Sequence, residues 1–122
     1  MTQVQHRHIE IDGTDIFYRE AGPADAPVLL LPHGYPASSF VYRNLMPHLA
    51  DRWRTLAPDF PGWGHSATPV DFAHDFDGYA AFLARFTEQL GVGRYAIWLP
   101  DFGSQIGLRL AIAHPQRITA AI

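Results

Sequence analysis

The stretch Val28-Leu29-Leu30-Leu31-Pro32-His33-Gly34-Tyr35-Pro36 opens with four apolar residues that show no alternation. Both faces of such a segment must be covered, as in the central strand of a parallel sheet flanked by helices. The run stops at Pro32 and passes into a turn set between two prolines. The same arrangement recurs twice. Arg54-Thr55-Leu56-Ala57 reads as a short strand that ends in Pro58-Asp59-Phe60-Pro61-Gly62-Trp63-Gly64-His65-Ser66. Tyr95-Ala96-Ile97-Trp98-Leu99 reads as another, and it ends in Pro100-Asp101-Phe102-Gly103-Ser104.

Helical periodicity fills the gaps between these strands. Ser38 and Ser39 can cap a helix whose inner face is Tyr42, Leu45, Met46 and Leu49, with a kink or restart expected at Pro47. From about Asp77, residues Tyr79, Phe82, Leu83, Phe86 and Leu90 share one helical face, and Gly91 and Gly93 stop it. A third helix carries Ile106, Leu110 and Ala113 and ends at Pro115, before Arg117-Ile118-Thr119-Ala120-Ala121-Ile122 begins a further strand. Upstream, Ile9 and Ile11 alternate, Asp12-Gly13 intervenes, and Ile16-Phe17-Tyr18 follows, which is a hairpin signal because Asp and Gly tolerate positive φ. The order predicts an α/β fold: a mostly parallel sheet with helices on both faces and an amino-terminal antiparallel hairpin. Ligands of such sheets bind beyond the carboxyl ends of the strands. The turns at His33, Asp59 and Asp101 are therefore where chemistry is sought, with His33, Gly34 and Trp63 as pocket-lining candidates.

Composition excludes several other functions. The 122 residues, 48% hydrophobic and 17% charged, suit one globular domain and not a disordered chain. Nine basic against 12 acidic residues, with no basic run, argue against nucleic acid as a partner. The absence of cysteine excludes disulfides, thiolate chemistry and Cys-type zinc sites. The polar opening, residues 1–8, is no signal peptide, and no apolar run approaches the ~18–20 residues of a membrane span. The expectation is a soluble cytosolic protein without a membrane partner and without a cofactor.

Asp101, directly after a strand and directly before a helix, has two readings. One is a helix N-cap, the commoner role for such an Asp. The other is a nucleophile on a strand–turn–helix elbow, where the amide of Phe102 and one from a neighbouring loop stabilise developing charge. Ser104 is a poor substitute, since Gly103-Ser104-Gln105-Ile106-Gly107 lacks glycine at both flanking offsets and falls inside the helix. Trp63 and His65 could line a pocket mouth. His6 and His8 share one side of a strand, but two imidazoles without a third ligand fit a solvated edge better than a metal site. Gly91-Val92-Gly93 follows a helix and not a strand, so it is no dinucleotide fingerprint.

His33-Gly34-Tyr35-Pro36, the 58–66 segment and Asp101-Phe102-Gly103, in this order and spacing, together resemble the α/β-hydrolase family, in the branch of epoxide hydrolases and haloalkane dehalogenases. The resemblance runs from the hairpin to Ile122. It implies Asp101 as a nucleophile that forms an alkyl ester, with the backbone amides of Tyr35 and Phe102 as the oxyanion donors. It also implies a small apolar substrate, an epoxide before a haloalkane or an ordinary ester, and water as co-substrate. Haloalkane dehalogenases usually place Trp after the nucleophile to hold the halide, and Phe102 has no such donor. The family order is nucleophile, acid, His, yet no Asp or Glu follows Asp101 and the one later histidine is His114. Residues 1–122 are accordingly expected to be the amino-terminal part of one α/β-hydrolase domain, stopped inside its sixth strand and inactive alone. A non-catalytic binding module on the same fold is the rival expectation.

Overall fold

The computed structural model describes residues 3–122, with Asp101 and Phe102 described in their backbone alone. Strands β1 (Gln5–Ile11) and β2 (Thr14–Ala21) form the antiparallel hairpin, with Ile9 opposite Ile16. Asp12 and Gly13 at its tip have φ of 52° and 79°, the left-handed pair that a tight two-residue hairpin turn needs. Strands β3 (Val28–Leu30), β4 (Arg54–Pro58), β5 (Tyr95–Ile97) and β6 (Ile118–Ala121) run parallel to one another, and β2 joins the set through antiparallel pairing with β4. The spatial order is β1-β2-β4-β3-β5-β6. The earliest parallel strand, β3, thus lies between β4 and β5.

The missing alternation in Val28–Leu30 has its cause in the two cores. Val28 and Leu30 face one layer with Leu56, Tyr95 and Ile97, covered by helices α2 (Phe76–Gln89) and α3 (Asp101–Ala113). Leu29 and Leu31 face the opposite layer with Ala57 and Ala96, covered by Tyr42, Met46 and Ala50. Both faces of β3 are therefore apolar, and Leu30 is wholly buried. Residue size follows the layers: Tyr95 and Ile97 fill the two-helix side, whereas Ala57 and Ala96 let the shorter helical segment sit close.

That shorter segment departs from the expected continuous helix. Ser38 caps a single 3-10 turn, Ser39–Tyr42, its hydroxyl accepting from the Phe40 amide at 3.2 Å. The chain then restarts as α1 (Met46–Leu49), with Pro47 in the first turn where its missing N–H costs nothing. The break turns Leu45 outward, 41% exposed, so it is not part of the inner face that its spacing suggests. Helix α2 follows its pattern: Asp75 caps it through the Gly78 amide at 2.6 Å, and Leu83 and Phe86 are wholly buried. Gly91, at φ 74°, ends it. Strand β5 is two residues shorter than expected, although Trp98 still donates to the Leu30 carbonyl at 3.0 Å. Among the described residues no helix is long and apolar enough to cross a membrane.

Candidate active site

Parallel pairing of β3 with both β4 and β5 brings the three expected turns to one end of the sheet. A cavity of about 620 Å³ opens there, and its walls include His33, Gly34, Tyr35, Phe60, Trp63 and Ile106. The expected lining residues His33, Gly34 and Trp63 all belong to it. His65 does not: its amide donates to the Asp59 carboxylate at 2.9 Å, and its ring meets Phe17 edge-on, 5.0 Å between centroids.

The β3 turn is held from three directions. Tyr42, wholly within the opposite core, donates its hydroxyl to the Pro32 carbonyl at 2.6 Å. His33 Nε2 accepts from the Phe60 amide at 3.1 Å, and its Nδ1 lies 2.9 Å from the Gly34 carbonyl. An amide can only donate and a carbonyl only accept, so the ring is the neutral tautomer with its proton on Nδ1. His33 is thereby a strut between two turns and not a free base. Tyr35, next in the chain, is 60% exposed, and its ring stands edge-on to Trp63 at 5.0 Å.

Burial pushes the His33 pKa below the usual imidazole value, against the opposing pulls of the Gly34 carbonyl and Asp59. Its neutral form therefore stabilises the fold fully above the unfolded pKa of ~6.5, and that contribution is lost as pH falls towards the lower folded value. The expected result is an unfolding free energy that declines below about pH 6.5 in the native sequence and declines less in His33→Asn. Urea unfolding across pH 5–8 checks it.

The β4 turn is organised around a carboxylate. Asp59 is completely buried and accepts from the Ser39 amide at 2.7 Å and the His65 amide at 2.9 Å. Gly64, at φ 53°, packs so closely that a Cβ there would lie 2.1 Å from Asp59 Oδ2, so glycine is required twice over. Arg19, 5% exposed, donates to the Ser39 hydroxyl and lies over the Phe17 ring. Burial works against its charge and the Asp59 carboxylate supports it. Asp59 thus ties β2, the 3-10 turn and the 60–66 loop together, a structural duty that its position at a strand end does not reveal. Arg19 was the available signal: a cation beside Ile16-Phe17-Tyr18 needs a counter-charge.

At the β5 turn, Pro100 is the residue that caps α3, and Asp101 is the first helical residue. The N-cap position is thus Pro100, one residue before Asp101, and it makes no side-chain capping bond. The Asp101 carboxylate and the Phe102 ring lie outside the described residues. The Ser104 amide donates to the Pro100 carbonyl at 2.8 Å, which places Ser104 inside the helix as expected. A Cβ on Gly103 would lie 3.2 Å from the Pro32 carbonyl, so glycine lets the first turn of α3 approach the β3 turn. The elbow and the His33-Gly34-Tyr35 turn are therefore direct neighbours.

The two remaining histidine questions resolve away from the cavity. His8 Nδ1 bonds Asp15 at 2.9 Å, and the His6 and His8 rings both meet Phe17 edge-on. No cluster of three metal-binding side chains occurs among the described residues. His114 caps the far end of α3, about 20 Å from Asp101 at 1.5 Å per residue.

Comparison with known proteins agrees with this architecture. Residues 27–122 match the family described as alpha/beta hydrolase fold. An uncharacterized hydrolase of Saccharomyces cerevisiae is 40% identical over 111 residues, 91% of this chain and 38% of that protein. A haloalkane dehalogenase of Bradyrhizobium diazoefficiens is 35% identical over 113 residues, 93% of this chain and 36% of that protein. The crystal structure of an epoxide hydrolase from Vigna radiata superposes with a TM-score of 0.88 at 26% identity, covering 98% of this chain and 39% of that one. The chain spans less than half the length of the curated relatives it matches.

Proposed function

The chain belongs to the alpha/beta hydrolase fold family, and from that premise we propose that the whole protein hydrolyses a small apolar epoxide through an alkyl ester on Asp101. The observation that carries this reading is an aspartate as the first residue of α3, separated from β5 by Trp98, Leu99 and Pro100, in a helix turn that Gly103 lets approach the β3 turn, whose His33, Gly34 and Tyr35 line the cavity. A carboxylate is ionised at neutral pH and needs no base for its first attack. One carboxylate oxygen bonds to an epoxide carbon, the ring C–O bond breaks, and the released alkoxide takes a proton from water. Water then attacks the ester carbonyl. Its acyl–oxygen bond breaks, which releases a diol and restores the carboxylate. The amides of Tyr35 and Phe102 stabilise the oxyanion of this second step. The second step also needs a base; in the family order the acid and the His follow the nucleophile, and His114, the one histidine after Asp101, is remote at the far end of α3, so we assign the acid and the His of the triad to residues outside this chain.

The haloalkane dehalogenase relative supports a second reading with a halide as leaving group. It is placed second because the Phe102 side chain has no N–H to hold a halide and the Trp63 indole N–H is engaged by the Tyr79 hydroxyl at 3.1 Å.

Single-turnover incubation of the whole protein with an aliphatic epoxide is expected to add the substrate mass to the peptide containing Asp101. Labelling elsewhere, or none with turnover intact, overturns the ester. The donors being backbone amides, Tyr35→Phe is expected to leave the chemical step within about tenfold, a difference of 1.4 kcal/mol. A loss of several decades in pre-steady-state kinetics assigns the Tyr35 hydroxyl a direct part instead.

A further inference from the structure

One polar chain in the cavity wall is not used by this mechanism. The Trp63 indole N–H donates to the Tyr79 hydroxyl at 3.1 Å, and His74 Nδ1 lies 3.1 Å from the same oxygen. All three side chains line the cavity, Tyr79 from α2 and His74 from the loop just before it. The Tyr79 ring is itself fixed between Phe60, at 5.0 Å, and Phe72, at 5.4 Å. The hydroxyl is therefore located by both ends, by ring packing and by its hydrogen bonds.

Counting donors and acceptors defines what it can recognise. Indole nitrogen only donates, so one lone pair of the Tyr79 oxygen is always taken by Trp63. When His74 Nδ1 carries no proton, Tyr79 donates to it and keeps one lone pair. When Nδ1 carries a proton, His74 donates, both lone pairs are used, and the Tyr79 proton is released. In either state one hydrogen-bonding function remains, an acceptor in the first and a donor in the second. An alcohol can answer both, whereas an ether or ketone oxygen answers only the second.

We propose that the Tyr79 hydroxyl, held between Trp63 and His74, is a specificity-determining group that selects a hydroxyl-bearing substrate. Joined to the reading above, on which this inference rests for its reactive group, the substrate class is an epoxide that carries an alcohol apart from its electrophilic carbons. Apolar walls take the hydrocarbon, and Tyr79 takes the hydroxyl that would otherwise be desolvated without a partner.

Two arms separate this inference from the reaction itself. In the first, binding of toluene and benzyl alcohol to the whole protein is measured by titration calorimetry in wild type and in Tyr79→Phe. The benzyl alcohol to toluene affinity ratio is expected to fall about tenfold in the variant, the size of one hydrogen bond and its desolvation. In wild type alone, saturating benzyl alcohol is expected to shift the Trp63 indole N–H resonance further than toluene does, because the two share the Tyr79 oxygen. An unchanged ratio, or equal shifts if the variant does not fold, overturns the proposal. In the second arm, kcat/KM is compared for a straight-chain epoxide ending in a hydroxyl and one ending in a methyl. A hydroxyl preference that Tyr79→Phe reduces supports the full substrate class, and a preference that the variant leaves intact overturns it. A Tyr79-dependent binding ratio with no epoxide turnover upholds the recognition site and overturns the epoxide reaction instead.

Discussion

Asp101→Asn is expected to lower epoxide turnover by the whole protein by about four to six orders of magnitude, the range seen when a covalent nucleophile is removed. At ~1.4 kcal/mol per decade this is roughly 6–8 kcal/mol of transition-state stabilisation. An amide oxygen carries no full charge, so the ester cannot form at a useful rate, and the labelled peptide should vanish with the activity. The fold should survive the change. Asp101 is the first residue of α3, the helix cap is Pro100, and Asn matches Asp in shape. Rapid-mix kinetics on freshly prepared variant, before Asn can deamidate to Asp, make the measurement. Turnover within tenfold of wild type would remove Asp101 from the mechanism.

The second large effect concerns stability. Asp59→Ala is expected to destabilise the whole protein by about 3–5 kcal/mol, the cost of breaking a buried charged network from one side. The Ser39 and His65 amides lose their acceptor, and Arg19 keeps a buried charge without its supporting carboxylate. Asp59→Asn should cost less, roughly 2 kcal/mol, since its one carbonyl oxygen still accepts one amide but no longer balances Arg19. Because the Asp59 network also holds the 60–66 loop against the cavity, limited proteolysis should cut that loop faster in both variants. A loss below about 1 kcal/mol in urea unfolding of Asp59→Ala would show that the network is dispensable.

Both effects bear on residues that follow a strand, and both turns are where the sequence directs the search for chemistry. Asp101 stood out because an acidic residue occupied the junction between a strand and a helix. Asp59 stands just past β4, ahead of a loop and not a helix, and is a tie between elements. His33 was legible as a cavity residue, yet its tautomer and its part as a strut became apparent only when the Phe60 amide was placed 3.1 Å from its ring. His65 lies near Trp63 in the sequence, which offers both as pocket-mouth residues. The left-handed Gly64 between them turns His65 to the opposite side, onto Phe17.

The sequence by itself determined the element order, the hairpin turn at Asp12-Gly13, the two-faced burial of β3 and the convergence of three turns at one sheet end. These are written in local spacing and in the φ preferences of a few residues, which need no distant partner to act. Only the tertiary structure decided which polar side chains face one another. Tyr42 reaching Pro32, Asp59 accepting from Ser39, and Trp63 donating to Tyr79 each join residues from separate parts of the chain. A hydrogen bond depends on tenths of an ångström and on direction, and those are set by how whole layers pack, not by the neighbours of any one residue in the chain.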